Sequence, residues 1–207
     1  MSGKQKKIGA VIDEVDLQTQ HLMEEFSDYT GGVRVVFLLH RGKEGGSNNH
    51  EYKRRSLRLI THNEKELKDA IRKCLTLQKT THQECRVYMT VNPRSLRNGE
   101  YIFKKTQLET DFGDETGKRY FYERLEDKWI SALVQGKPPK GCAKFILDVD
   151  ERDNSKALSF CGENHIEIEK AYATKNGWHL IVKPFDVSIC PREIADVQKE
   201  GLILLSY

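Results

Sequence analysis

Five short apolar runs, rich in β-branched and aromatic residues, set what this chain can fold into: Val33 to Leu39, Cys85 to Val91, Ala143 to Val149, Trp178 to Val182 and Leu202 to Leu205. Each is too short for a helix that crosses a domain and is followed by a polar or turn residue, so each reads as a strand with at least one buried face. Val33 to Leu39 pairs with Ser56 to Thr61 as a hairpin whose long tip is basic. Ile166 to Ala173 pairs with Trp178 to Val182 around Asn176-Gly177, a turn dipeptide in which both residues tolerate positive φ.

Helical spacing fills the intervals. Asn63 with Glu66 three residues on forms a capping box, and Leu67, Ala70, Ile71, Cys74 and Leu75 recur on one face, which predicts a helix over 64–79. Helices are also expected over 8–26, 95–106, 119–135 and 154–161, with a polar loop over 110–117, a break at Gly136 to Lys140, and a last helix begun by Pro191. The class is α+β or mixed α/β, with mostly antiparallel strands. One compact unit over 1–207 is expected, with an N-terminal α/β part over 1–84.

Composition agrees with one soluble domain: of 207 residues, 38% are hydrophobic and 31% charged. No stretch approaches the roughly 18 apolar residues of a membrane span, and Met1 to Lys7 is polar with no apolar segment behind it, so a cytoplasmic protein without a membrane partner is expected. Five single cysteines, with no Cys-x-x-Cys pair, predict reduced thiols rather than a disulfide framework.

A net charge of +3 gives no global reason to expect a nucleic-acid partner. Its distribution is more informative. Arg41 to Arg58 holds six basic and two acidic residues, whereas Asp148 to Lys170 holds seven acidic and three basic. Arg41, Lys43, Lys53, Arg54 and Arg55, among Gly, Ser and Asn, suit a mobile phosphate-contacting loop as well as an ordinary solvated tip.

Asp148 and Asp150 end an apolar strand two residues apart, so they project from one face. Two carboxylates there repel unless a cation lies between them, and Mg²⁺ or Mn²⁺ suits hard oxygen donors; a solvated acidic strand end is the plain alternative. His179 opens the strand after Asn-Gly, near Lys175 and Lys183, where an imidazole can donate to phosphate; taken alone, it reads more simply as a hairpin histidine with a satisfied hydrogen bond. Asn92-Pro93-Arg94 ends another strand, and its amide and guanidinium suit a nucleotide; equally, Asn-Pro simply stops the strand.

In order along the chain, Val87-Tyr88-Met89-Thr90-Val91-Asn92-Pro93, Phe145-Ile146-Leu147-Asp148-Val149-Asp150, Thr174-Lys175-Asn176-Gly177-Trp178-His179-Leu180 and then Asp196 resemble the catalytic domain of the archaeo-eukaryotic primase superfamily, in particular its viral and plasmid primase-polymerases. The resemblance covers roughly residues 85–207. It implies an RRM-like catalytic sheet with flanking helices and a DNA primase/polymerase-like nucleotidyltransferase that uses nucleoside triphosphates on a single-stranded DNA or RNA template, with a replication partner such as a helicase. It also implies catalytic metal carboxylates at Asp148, Asp150 and a third position, Asp196 or Asp186, with His179 on the triphosphate and Lys175, Lys183, Asn92 and Arg94 around it. A non-catalytic replication accessory protein and a metal-dependent nuclease are the alternatives, because Asp-x-Asp does not distinguish a sugar hydroxyl from water as the attacking group.

Overall fold

The computed structural model describes residues 31–40, 57–80 and 85–206, with Thr19, Leu22, Glu24 and Tyr29. The basic residues Arg41, Lys43, Lys53, Arg54 and Arg55 and all but three positions of the expected helix over 8–26 lie outside the described residues; Thr19, Leu22 and Glu24 are helical.

Among the described residues, two antiparallel sheets carry the fold. The first has the order β2-β1-β3-β9, built from β1 (Gly32–His40), β2 (Leu57–Thr61), β3 (Cys85–Thr90) and β9 (Leu202–Ser206). A two-residue strand, β4 (Arg94–Ser95), joins the N-terminal end of β1 through Val33 opposite Arg94. The second sheet has the order β6-β7-β5-β8, from β5 (Phe145–Val149), β6 (Ile168–Ala173), β7 (Trp178–Val182) and β8 (Asp196–Gln198). Among the described residues all strand pairs are antiparallel. Strands from beyond residue 84 complete the sheet begun by β1 and β2, so the first sheet draws on both ends of the chain.

Helix α1 (Glu64–Thr80) starts at the expected Asn63 cap: the Glu66 amide donates to Asn63 Oδ1 at 3.0 Å, while the Glu66 carboxylate accepts from the Asn63 side-chain amide at 2.8 Å and from the His62 backbone amide at 2.8 Å, one residue before the position a capping box uses. Its buried face, Leu67, Ala70, Ile71 and Cys74, covers β1 and β3 together with Val36, Leu38, Val87 and Met89. Ile146, Tyr172 and Ile181 of the second sheet join the same core. Alternation then decides what lies on the other faces. Val35 and Phe37 turn away to Ile130 of α4 (Leu125–Gln135), while Leu147, Val149, Leu180 and Val182 turn to Ala157, Phe160 and Cys161 of α5 (Ser155–Glu163).

Helix α2 (Leu96–Asp111) begins at a Ser95 cap and runs past the expected end at 106. The polar loop over 110–117 shrinks because Asp114 caps a further helix, α3 (Glu115–Glu123), accepting from the Gly117 amide at 2.7 Å. The single helix expected over 119–135 is two, α3 and α4, broken at Arg124, whose backbone (φ −127°, ψ 37°) leaves the helical region. The helix expected from Pro191 is a turn, closed by the Ile194 amide on the Pro191 carbonyl at 3.0 Å, because the chain enters β8 at Asp196. Among the described residues no helix is long and apolar enough to cross a membrane.

Candidate functional site

The second sheet lines up four side chains in one row. Tyr172 of β6 lies opposite His179 of β7, His179 opposite Asp148 of β5, and Asp148 opposite Asp196 of β8. Directly opposed residues project from the same face, and Ile146, Ile181 and Tyr172 identify it as the face turned to the first sheet.

A hydrogen bond and a close polar contact join three members of that row. The Tyr172 hydroxyl meets His179 Nδ1 at 2.8 Å, and His179 Nε2 meets Asp148 Oδ1 at 3.2 Å. The other carboxylate oxygen, Asp148 Oδ2, accepts from the Gln198 amide group at 3.1 Å. Tyr172 and His179 are buried, whereas the Asp148 side chain is 32% exposed, so the row opens to solvent at its carboxylate end. Asp196 and Asp150 are exposed and, among the described residues, neither carboxylate has a hydrogen-bond or ion-pair partner.

The hairpin between β6 and β7 sets this register. Its loop is Thr174 to Gly177, closed by the Thr174 amide on the Gly177 carbonyl at 2.8 Å and the Gly177 amide on Thr174 Oγ1 at 3.1 Å. Lys175 is exposed within it. The Trp178 indole N–H donates to the Arg152 carbonyl at 2.9 Å and fastens the loop after Asp150 to the start of β7.

The remaining candidates stand elsewhere. Lys183 follows the far end of β7, about 13 Å along the strand from His179, and pairs with Glu167 at 2.7 Å. Asp186 caps the short turn Val187–Ile189; the Ser188 hydroxyl and amide hold its carboxyl below the usual range. Of the two candidates for a third carboxylate, it is Asp196 that shares a row with Asp148.

Asn92 is fully buried and acts as a tie between the sheets. Its amide group donates to the Lys144 carbonyl at 2.9 Å and the Lys199 carbonyl at 3.3 Å, and its oxygen accepts from the Lys144 amide at 2.7 Å. Arg94, also fully buried, pairs with Glu200 and donates to the Gly136 carbonyl at 3.3 Å. Burial pulls its pKa down, against the opposing pull of Glu200. Both side chains face structural partners around the start of β5 and the β8–β9 turn.

Tyr172 and Gln198 are the site residues that the motifs did not reveal. Tyr172 carries a signal, because an Asn-Gly hairpin puts it on the same face as His179. Gln198 carries none, since β8 has only three residues and no apolar run.

Among the described residues, no group of three His, Cys, Asp or Glu side chains stands ready to enclose a metal ion. Comparison with known proteins gives no matching family model, no matching curated relative and no matching solved structure.

Proposed function

We infer that this chain is a metal-dependent nucleotidyltransferase of the primase-polymerase type, which joins nucleotides on a single-stranded template. The observation that carries the reading is the cross-strand row, in which Asp148 lies between His179 on one side and Asp196 on the other. Strand register, rather than sequence proximity, brings a carboxylate beside an imidazole.

The donor set suits Mg²⁺ or Mn²⁺. Asp148, Asp150 and Asp196 supply only hard oxygens, and two of the three carboxylates are unpaired among the described residues. These three residues would hold the metal, which when bound would stabilise negative charge on phosphate oxygens. His179 supplies an N–H at the buried side of Asp148, suited to a phosphate oxygen, and the exposed Lys175 adds a cation on the adjoining hairpin.

The test is extension of a labelled primer, or synthesis of a new one, on single-stranded template with dNTPs or NTPs and Mg²⁺ or Mn²⁺. Wild-type protein yields longer products and Asp148→Ala yields none. A binding-only reading draws on a separate observation, the lack of a preassembled three-residue metal cluster among the described residues. A mobility shift of single-stranded DNA without extension would select it, and shortening of the labelled strand without added nucleotide would select a nuclease.

A further inference from the structure

We propose that Tyr172 is a positioning residue that, together with Asp148, fixes His179 as an Nε2–H donor. The inference starts from acceptor chemistry. A carboxylate only accepts hydrogen bonds, and Asp148 Oδ1 lies 3.2 Å from His179 Nε2. The negative charge of that oxygen repels a lone pair on the nearer nitrogen and attracts a hydrogen there, which favours the ring form with the hydrogen on Nε2.

In the neutral ring, Nδ1 is then the acceptor. The partner that meets it is the Tyr172 hydroxyl at 2.8 Å, buried and able to donate. The rings meet edge to face, with centroids 5.3 Å apart and an interplanar angle of 75°, so the phenol also limits imidazole rotation. Tyr172 is itself held by the β6–β7 register, opposite His179. Hydroxyl and imidazole are thus hydrogen-bonded, and the far side of the imidazole lies against the carboxylate.

This assigns the ring a duty. A metal needs a nitrogen lone pair, and in this arrangement Nδ1 is covered by the phenol while Nε2 carries a hydrogen. His179 therefore offers the site a donor and leaves cations to the carboxylates. The N–H beside Asp148 can donate to an incoming phosphate oxygen. That last step rests on the nucleotidyltransferase reading; the hydrogen-bond assignment does not.

The experiment is long-range ¹H–¹⁵N correlation spectroscopy of ¹⁵N-histidine-labelled full-length protein, without nucleotide or metal. His179 is assigned by the resonances lost in His179→Gln, and spectra are followed upward in pH until the pattern stops changing. The expected alkaline spectrum has a pyrrole-type Nε2 and a pyridine-type Nδ1 moved upfield by its hydrogen bond. Tyr172→Phe shifts Nδ1 downfield and leaves Nε2 pyrrole-type. A pyrrole-type Nδ1 in the wild type overturns the proposal, even if Tyr172→Phe does not fold. So does an Nδ1 resonance that stays in place when the hydroxyl is removed from a folded variant. Failure of primer extension with the expected spectrum would count against the functional reading alone.

Discussion

Gly177 lies against Val149 so closely that a Cβ at position 177 would stand 1.8 Å from the Val149 carbonyl oxygen. Side-chain rearrangement cannot relieve that overlap, because the obstacle is backbone. Gly177→Ala is expected to push the β6–β7 hairpin off the end of β5 and cost about 1–3 kcal/mol, the range of overpacking. An unfolding free energy from urea denaturation within about 0.5 kcal/mol of wild type would mean that the loop is not seated there.

Asn92→Ala is expected to act on stability. It leaves the part-buried Lys144 amide and the Lys144 and Lys199 carbonyls without this partner, and loss of these hydrogen bonds costs about 1–3 kcal/mol. A side chain used for nucleotide contact would give a different result: a raised KM with an unchanged unfolding midpoint.

Manganese titration, followed by the loss of free-ion electron paramagnetic resonance signal, separates the carboxylates from the histidine. Asp148→Asn is expected to weaken Mn²⁺ binding at least about tenfold, or ~1.4 kcal/mol. His179→Ala is expected to leave it equal or tighter, because the imidazole that lies against Asp148 Oδ1 is removed and no carboxylate is lost. If His179→Ala instead weakens binding as much as Asp148→Asn, the imidazole is a metal ligand.

His165→Gly is expected to stabilise the protein. His165 has φ 53° just past the end of α5, in a Schellman closure where its amide donates to the Gly162 carbonyl at 3.3 Å and that of Ile166 to the Cys161 carbonyl at 2.8 Å. Glycine removes the left-handed strain, for a net gain of about 0.5–1 kcal/mol once its greater unfolded entropy is counted. Chemical denaturation at neutral pH measures the difference, and a lower midpoint would contradict it.

Burial pushes the thiols of Cys74 and Cys161 up to about 11, from an ordinary 9.0. The unfolded thiols therefore ionise first, and the unfolded state loses protons while the folded one keeps them. Their contribution to stability is whole below pH 9 and declines as pH rises from 9 towards 11. Denaturation midpoints across that window should fall, and the fall should be shallower in Cys74→Ala.

Much of the fold was legible because its signals are local. The Asn63–Glu66 box predicted α1, and the apolar runs predicted β1, β3, β5, β7 and β9 to within a few residues. What escaped depends on distant partners. β8 forms because Asp196 to Gln198 find an open edge of β5, which no three-residue pattern announces. The same pairing overrode the helix expected at Pro191. The two-residue Asn-Gly turn would set Thr174 opposite His179, yet Thr174 is drawn into the loop and the register moves by two, which preserves the face and puts Tyr172 there instead. Asn92 and Arg94 carry polar groups that look available in sequence. Burial engages them with backbone carbonyls and Glu200.

The position of β9 has a consequence for how the molecule is made. It closes the first sheet against β3, and its Ile203 and Leu205 enter the core shared by α1 and the second sheet. A growing chain can form α1 and the β6–β7 hairpin early, but its central core stays open until residue 205 has cleared the ribosome. Until then the edge of β3 is a bare template for pairing with other chains. Stalling or truncation just short of β9 should therefore yield a species recognised by chaperones and prone to aggregation, while its hairpin and helix are already formed.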